Sequence, residues 1–122
     1  MGYESKCYVV NKTHRRDIDD KRFWAEVIAM FDLCKVDDIS EQIRNKYHAT
    51  DAYILADDGN TEIIEDAYGE PLIEIPIKDL ISILEENIEK NPHYRRYNPF
   101  LCMLKGFNPD EWNNLVVLHY GY

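Results

Sequence analysis

Residues 115–120, Leu-Val-Val-Leu-His-Tyr, are among the most continuously apolar parts of this chain. The other such run is Tyr-Val-Val at 8–10, within a segment at 3–12 that is rich in tyrosine, valine and cysteine. Short apolar runs of β-branched and aromatic residues are typical of buried strands. The sequence therefore predicts two strands, at 3–12 and 115–120, that form the centre of a sheet.

A helix is predicted over residues 23–34, between these two strands. Phe23, Val27, Phe31 and Cys34 recur at helical spacing. Apolar residues three or four positions apart lie on one face of a helix. We expect this helix to pack into the core.

Three further helices are predicted, over 37–48, 79–91 and 99–105. The first two repeat apolar residues at helical spacing, and the second is stopped by Pro92. The third begins with a proline and is followed by Gly106, an order typical of short helices.

Three short runs of strand-forming residues lie between the predicted helices, at 52–56, 61–66 and 71–76. The first two are separated by Asp-Asp-Gly-Asn at 57–60, a strong hairpin signal because glycine and asparagine tolerate positive φ. A weaker turn follows at 68–70. Together these runs predict a three-stranded meander.

The predicted order of elements is βααβββααβ in a single α+β domain that spans residues 1–122. We expect about five strands in an antiparallel or mixed sheet, with the helices packed on one face. The meander would then lie toward an edge of that sheet.

Negative charge is concentrated in residues 51–90, which carry twelve carboxylates and two lysines, a net charge of −10. The whole chain has a net charge of −9, so the remainder is almost neutral. Charge confined to one stretch creates a directional surface that can steer a basic partner.

The sequence therefore predicts a partner-binding surface made of the carboxylates of the meander and the following helix. We assign to it Asp57, Asp58, Glu62, Glu65, Asp66, Glu70, Glu74, Glu86 and Glu89. A solubilising face that discourages edge-to-edge aggregation is the competing interpretation.

The chain lacks the common catalytic and cofactor motifs, and we predict no catalytic residue, no metal and no cofactor. The run that starts at Asp58 does not fit a calcium loop, because Ile63 stands where the sixth-position glycine is needed. The four histidines are widely dispersed in the sequence. His119 is expected on one face of the final strand.

Direct nucleic-acid binding is not expected. Arg95 and Arg96 lie between Tyr94 and Tyr97, and such a mixture of basic and aromatic residues can stack on bases. However, phosphate contacts dominate nucleic-acid affinity, and the net charge of −9 opposes them.

Cysteine usage is typical of a reducing compartment, and we expect a cytoplasmic protein. Cys7, Cys34 and Cys102 are odd in number and form no C-x-x-C pair. Each lies in an apolar run, so we expect buried free thiols. No run approaches the length of a membrane span, and no membrane association is expected.

The segments MGYESKCYVV at 1–10, ADDGNTEIIEDAYG at 56–69 and VVLHYGY at 116–122 resemble small uncharacterised proteins of bacteriophages and prophages of low-GC bacteria. This resemblance implies a small accessory protein made during infection. Many acidic proteins of that kind bind a host enzyme, and anti-CRISPR proteins and other counter-defence inhibitors are the obvious group. The resemblance implies no residue roles.

The leading hypothesis is a non-enzymatic protein whose acidic surface inhibits a basic host protein, such as a nuclease or defence effector. One alternative is an immunity protein that neutralises a toxin. Another is a small-ligand-binding protein or weak hydrolase, with a site built from tyrosines and His48 or His119. A pocket with convergent polar groups is the feature that favours this last alternative.

Overall fold

The computed structural model describes residues 5–11, 23–34, 37–56, 58–90, 97–108, 110 and 114–122. The strands in these ranges are β1 (Ser5–Asn11), β2 (Phe23–Trp24), β3 (Glu26–Cys34), β4 (Ala52–Leu55), β5 (Glu62–Ile63), β6 (Ile73–Pro76) and β7 (Leu115–Gly121). The helices are α1 (Asp37–Lys46), α2 (Ile77–Lys90) and α3 (Asn98–Lys105). The α+β class predicted from the sequence is confirmed.

The main sheet has four strands in the order β3-β1-β7-β6, and all three pairings are antiparallel. Strands β1 and β7 lie at its centre, as the sequence predicts. They pair in register without interruption, with Val9 opposite Val117 and Val10 opposite Val116. The expectation of five strands in one sheet is wrong, because the predicted meander does not join this sheet as a unit.

The helix predicted over residues 23–34 is also wrong, because this stretch forms β2 and β3. Strand β3 pairs with β1, but the register shifts where Val9 faces Ala29 and Val10 faces Val27. Ile28 is therefore an extra residue on β3, which is the arrangement of a β-bulge. The bulge places Val27 opposite Val10 and Phe31 opposite Cys7, on different faces of the sheet, and this change disguises the two-residue period of a strand.

One face of the main sheet, which we call the helix face, is covered by α1, α2 and α3. Alternate residues of the central strands point to this face, including Cys7 and Val9, which are fully buried. The aromatic rings of Phe31 on β3 and Phe100 on α3 stack there, with centroids 4.8 Å apart. Leu80 and Leu84 of α2 fill the centre of the same cluster, as the predicted apolar stripe requires.

The opposite face, which we call the hairpin face, is covered in part by β4 and β5. Val10 and Leu118 point to it and pack against Ala52 and Ile54 of β4. Strand β4 pairs parallel with β2 and antiparallel with β5. Helices thus cover one face, as expected, and a small β-layer covers part of the other.

The predicted meander is divided between the two layers. Strands β4 and β5 form the expected hairpin on the hairpin face, whereas β6 pairs with β7 in the main sheet. The outer side of β6 is occupied by residues 48–50. The amide of Glu74 donates to the carbonyl of His48 at 3.0 Å, and the amide of Thr50 donates to the carbonyl of Leu72 at 2.9 Å.

The three helices agree with the predicted ones to within a few residues. Helix α2 begins at Ile77, two residues before the predicted start, and Ile77 is fully buried. Asp79 in the first turn of α2 is half-buried, and its carboxylate accepts a hydrogen bond of 3.0 Å from the phenol of Tyr47. Within the described ranges, no helix has the length and apolar character needed to cross a bilayer.

The expectation of buried thiols is met at one position and fails at another. Cys7 is fully buried, and burial together with the charge of Asp32 raises the pKa of its thiol. Cys102 is exposed on α3. The side chain of Cys34 lies outside the described residues.

Candidate functional site

The most acidic region of the structure is residues 58–70, which we call the acidic segment. It runs from the β4–β5 hairpin through a loop that leads to β6. No lysine or arginine occurs between Lys46 and Lys78. Within the acidic segment, most carboxylate residues are exposed to solvent: Asp58, Glu62, Glu65 and Glu70.

The hairpin turn of this segment is fixed by Asp58. Its Oδ1 accepts the amides of Asn60 and Thr61, both at 2.8 Å, and its Oδ2 accepts the Thr61 hydroxyl at 2.5 Å. These hydrogen bonds, that of the hydroxyl foremost, lower the pKa of the Asp58 carboxyl to about 2. Gly59 completes the turn with φ of +75°. The turn forms at this sequence because aspartate accepts hydrogen bonds from the residues that follow it and glycine tolerates positive φ.

Asp66 fixes the second turn of the acidic segment in the same way. Its Oδ1 accepts the amides of Tyr68 and Glu70 at 2.8 and 3.0 Å, and Gly69 adopts φ of +77°. The amide of Ala67 donates to the carbonyl of Gly121, which ties this loop to the end of β7. Asp58 and Asp66 were predicted as partner-binding residues, and the structure gives both a role in shaping turns.

Tyr68 stands at the tip of the second turn with 56% of its surface exposed. A carboxylate oxygen of Glu65 lies beside this turn, 3.9 Å from where a Cβ atom on Gly69 would be. The turn therefore presents an aromatic ring and at least one exposed carboxylate together. Sequence analysis missed Tyr68, although its place in a Tyr-Gly turn was a signal that it would be exposed.

The remaining predicted residues are separated from the acidic segment. Glu74 is half-buried on β6, where its carboxylate accepts the Thr50 hydroxyl at 2.7 Å. Glu86 and Glu89 are exposed on α2, on the other side of the main sheet from β5. Lys90 forms an ion pair of 2.8 Å with Glu86 and lowers the pKa of its carboxyl.

The eight predicted residues that the structure describes thus do not all lie on one side of the main sheet. The acidic segment contains Asp58, Glu62, Glu65, Asp66 and Glu70, whereas Glu86 and Glu89 belong to α2, where Glu86 and Glu85 form ion pairs with Lys90 and Lys105. Asp57 lies outside the described residues.

A second feature, which we call the His119 cleft, lies between α1 and the loop that leads to β6. The cavity has a volume of about 300 Å³. Its lining residues are Arg44, Asp66, Glu70, Pro71, Ile73 and His119. Sequence reasoning could not assemble this cleft, because it draws on three segments that are distant in the chain.

His119 lies at the base of this cleft and is only 2% exposed. Its Nε2 is 2.9 Å from the hydroxyl oxygen of Ser5, which is fully buried. Burial is the main cause that lowers the pKa of His119 to about 4, and the charge of Arg44 acts in the same direction against that of Asp66. The imidazole is therefore neutral at physiological pH.

The other histidine considered from the sequence, His48, is exposed and lines a shallower depression beside Tyr47 and Glu74. In the part of the chain that the structure describes, no group of three or more histidine, cysteine, aspartate or glutamate side chains is placed to hold a metal ion. Arg95 and Arg96 lie outside the described residues.

No protein-family model, no curated protein and no solved structure matches this chain.

Proposed function

We propose that this protein is a non-enzymatic binding protein that recognises a basic surface on another protein through the acidic segment. The observation that carries the proposal is the concentration of exposed carboxylates at 58–70, in a stretch of sequence with no lysine or arginine from residue 47 to residue 77. Arg44 of α1 lies beside Asp66 and Glu70, so Asp58, Glu62 and Glu65 are the carboxylates of the segment that lie outside this cleft. The resemblance to phage accessory proteins suggests a host nuclease or defence effector as the partner, with inhibition as the result.

Charge of one sign on one side of a protein accelerates encounter with an oppositely charged partner and disfavours others. Helix α2 does not offer the same field, because Lys90 and Lys105 form ion pairs with Glu86 and Glu85. The acidic segment is therefore the part of the predicted surface best suited to steer a partner.

The acidic segment also contains two hydrogen-bonded turns. Its two turns are closed by the carboxylates of Asp58 and Asp66. A preordered loop loses less conformational entropy on binding than a flexible one. The exposed ring of Tyr68 supplies the kind of aromatic anchor that is common at the centre of protein interfaces.

The test compares charge reversals on the two sides of the main sheet. One variant carries Glu62→Lys and Glu65→Lys, and its matched control carries Glu86→Lys and Glu89→Lys. All four residues are exposed, and each pair changes the net charge from −9 to −5. Both proteins are used as bait in a host extract, and the captured proteins are identified by mass spectrometry.

We expect the first variant to lose its partner and the control to keep it. For the identified partner, the association rate of the wild-type protein should fall strongly between 0.15 M and 1 M salt, because the Debye length falls from about 8 Å to about 3 Å. Equal capture by the two variants, or an association rate that salt changes less than about twofold, would leave the acidic segment with a solubilising role only.

A further inference from the structure

The His119 cleft combines groups of opposite charge around a neutral base. Arg44 comes from α1, whereas Asp66 and Glu70 come from the loop that leads to β6. Both Arg44 and Asp66 act electrostatically on His119, so their charges are directed at the same small volume. Sites that bind small molecules are typically concave, with a few convergent polar groups supplied by distant parts of the chain.

The charges of the cleft restrict the kind of molecule that fits it. A simple anion would be attracted by Arg44 but repelled by Asp66 and Glu70. A simple cation would be attracted by the two carboxylates but repelled by Arg44. A molecule that carries both charges satisfies both sides. Arg44 has five N–H donors, so it can bind a carboxylate and keep the interactions it already makes.

Size and apolar surface restrict the molecule further. A volume of about 300 Å³ is at the lower limit for ligand pockets and corresponds to roughly ten water molecules. Pro71 and Ile73 form an apolar wall beside the charged groups. At the base, the neutral imidazole of His119 is held by Ser5 and adds no charge of its own.

We propose that the His119 cleft binds a small zwitterion of the α-amino acid class with an aliphatic side chain. Arg44 binds the carboxylate, Glu70 and Asp66 bind the ammonium group, and Ile73 and Pro71 contact the side chain. The cleft shares Asp66 and Glu70 with the acidic segment, but this inference does not rest on the proposed function, because neither Glu62 nor Glu65 lines the cleft.

The test uses L-valine together with two analogues that each lack one charge. N-acetyl-L-valine has no ammonium group, and isobutylamine has no carboxylate. Binding is followed by NMR through the ring resonances of His119. We expect a saturable shift with L-valine and about tenfold weaker binding of each analogue, because each loses one charge-assisted interaction.

Two substitutions assign the interaction to the cleft. Arg44→Gln should weaken valine binding about tenfold or more, whereas Lys46→Gln, on the same helix but outside the cleft, should not. Glu70→Gln gives a second variant whose exposed side chain makes it a safe change for folding. Unchanged amide resonances of β1 and β7 show that each variant is folded.

The proposal is overturned if L-valine gives no saturable shift, if the three compounds bind equally, or if folded Arg44→Gln and Glu70→Gln proteins both bind valine as the wild type does. The variant with Glu62→Lys and Glu65→Lys separates the two proposals. It should bind valine normally even where it fails to capture a protein partner.

Discussion

The imidazole of His119 and the hydroxyl of Ser5 meet inside the protein at 2.9 Å, although the two residues are 114 positions apart in the chain. They belong to the two central strands, on the face that is otherwise filled with apolar side chains. A slip of one residue between β1 and β7 would turn His119 to the opposite face and leave Ser5 buried without this partner. The pair therefore helps to specify the register of the sheet.

The buried imidazole of His119 predicts that the free energy of unfolding falls in mild acid. The folded protein holds His119 with a pKa of about 4, below the ordinary 6.5, so between these values the unfolded chain binds a proton that the folded one does not. The resulting gain in the free energy of unfolding is complete above about pH 6.5 and is lost as the pH falls toward 4. It amounts to about 3 kcal/mol, and urea unfolding at pH 7 and pH 4.5 measures it.

The His119→Gln protein provides the comparison for this pH dependence. It should be less stable at pH 7 but should lose much less stability between pH 7 and 4.5. His48→Gln, a change at an exposed histidine, should behave like the wild type. A wild-type stability that is flat between pH 4.5 and 7 would contradict the neutral buried imidazole.

The hydrogen bond between Tyr47 and Asp79 predicts one tyrosine that ionises late. Burial is the main cause that raises the pKa of Tyr47 to about 12, and the hydrogen bond to Asp79 and the charge of Asp79 add to it. An alkaline titration followed by ultraviolet absorbance should show a component near pH 12 that disappears in Tyr47→Phe. If Tyr47→Phe leaves the titration curve unchanged, the phenol does not donate to this carboxylate.

Replacement of Gly59 by alanine should destabilise the hairpin through backbone strain alone. Its φ is +75°, and nothing lies within 4 Å of the position of an added Cβ atom. The expected loss in the free energy of unfolding is about 1–2 kcal/mol, measured by urea denaturation. Gly59→Asn, which tolerates this conformation better, should lose less, and equal losses would mean that strain at φ is not the cause.

Truncation of Leu84 should be far more costly than truncation of Met30. Leu84 is fully buried between α2 and the main sheet, whereas Met30 on β3 is 49% exposed. Leu84→Ala should lower the free energy of unfolding by about 2–5 kcal/mol, and Met30→Ala by about 0.5 kcal/mol or less. Comparable losses from the two changes would place β3 inside a core rather than at an edge.

The central strands and the hairpin turn could be predicted because their signals are local. Continuous apolar runs identify β1 and β7, and the Asp-Gly-Asn turn identifies the β4–β5 hairpin. Helices α1 and α2 follow from a period of 3.6 that nothing interrupts. Each of these signals lies within one short window of sequence.

The failure at residues 23–34 has a physical origin in the bulge of β3. Val27 and Phe31 are four positions apart, as on one face of a helix, yet Val27 pairs with Val10 on the hairpin face and Phe31 pairs with Cys7 on the helix face. The extra residue Ile28 shifts the alternation between them. A pattern of single residues cannot distinguish this shift from a helical period.

The acidic segment and the His119 cleft depend, even more than the fold does, on tertiary contacts that no local sequence pattern indicates. The concentration of carboxylates is visible in the sequence, but the separation of Glu86 from Glu62 by the main sheet is not. Likewise, nothing near His119 in the chain indicates Arg44 or Ser5. Tertiary pairing decides which of the predicted residues can act together.

The backbone from Phe23 to Cys34 serves both layers in succession, because β2 pairs with β4 and β3 pairs with β1. Between them, Ala25 is buried, and its amide donates to the carbonyl of Tyr53 at 2.9 Å. The small sheet of β2, β4 and β5 is therefore joined to the main sheet by a continuous extended chain, in addition to the side-chain packing between the two. A force applied to the β4–β5 hairpin would therefore reach the main sheet through backbone hydrogen bonds as well as through side-chain packing.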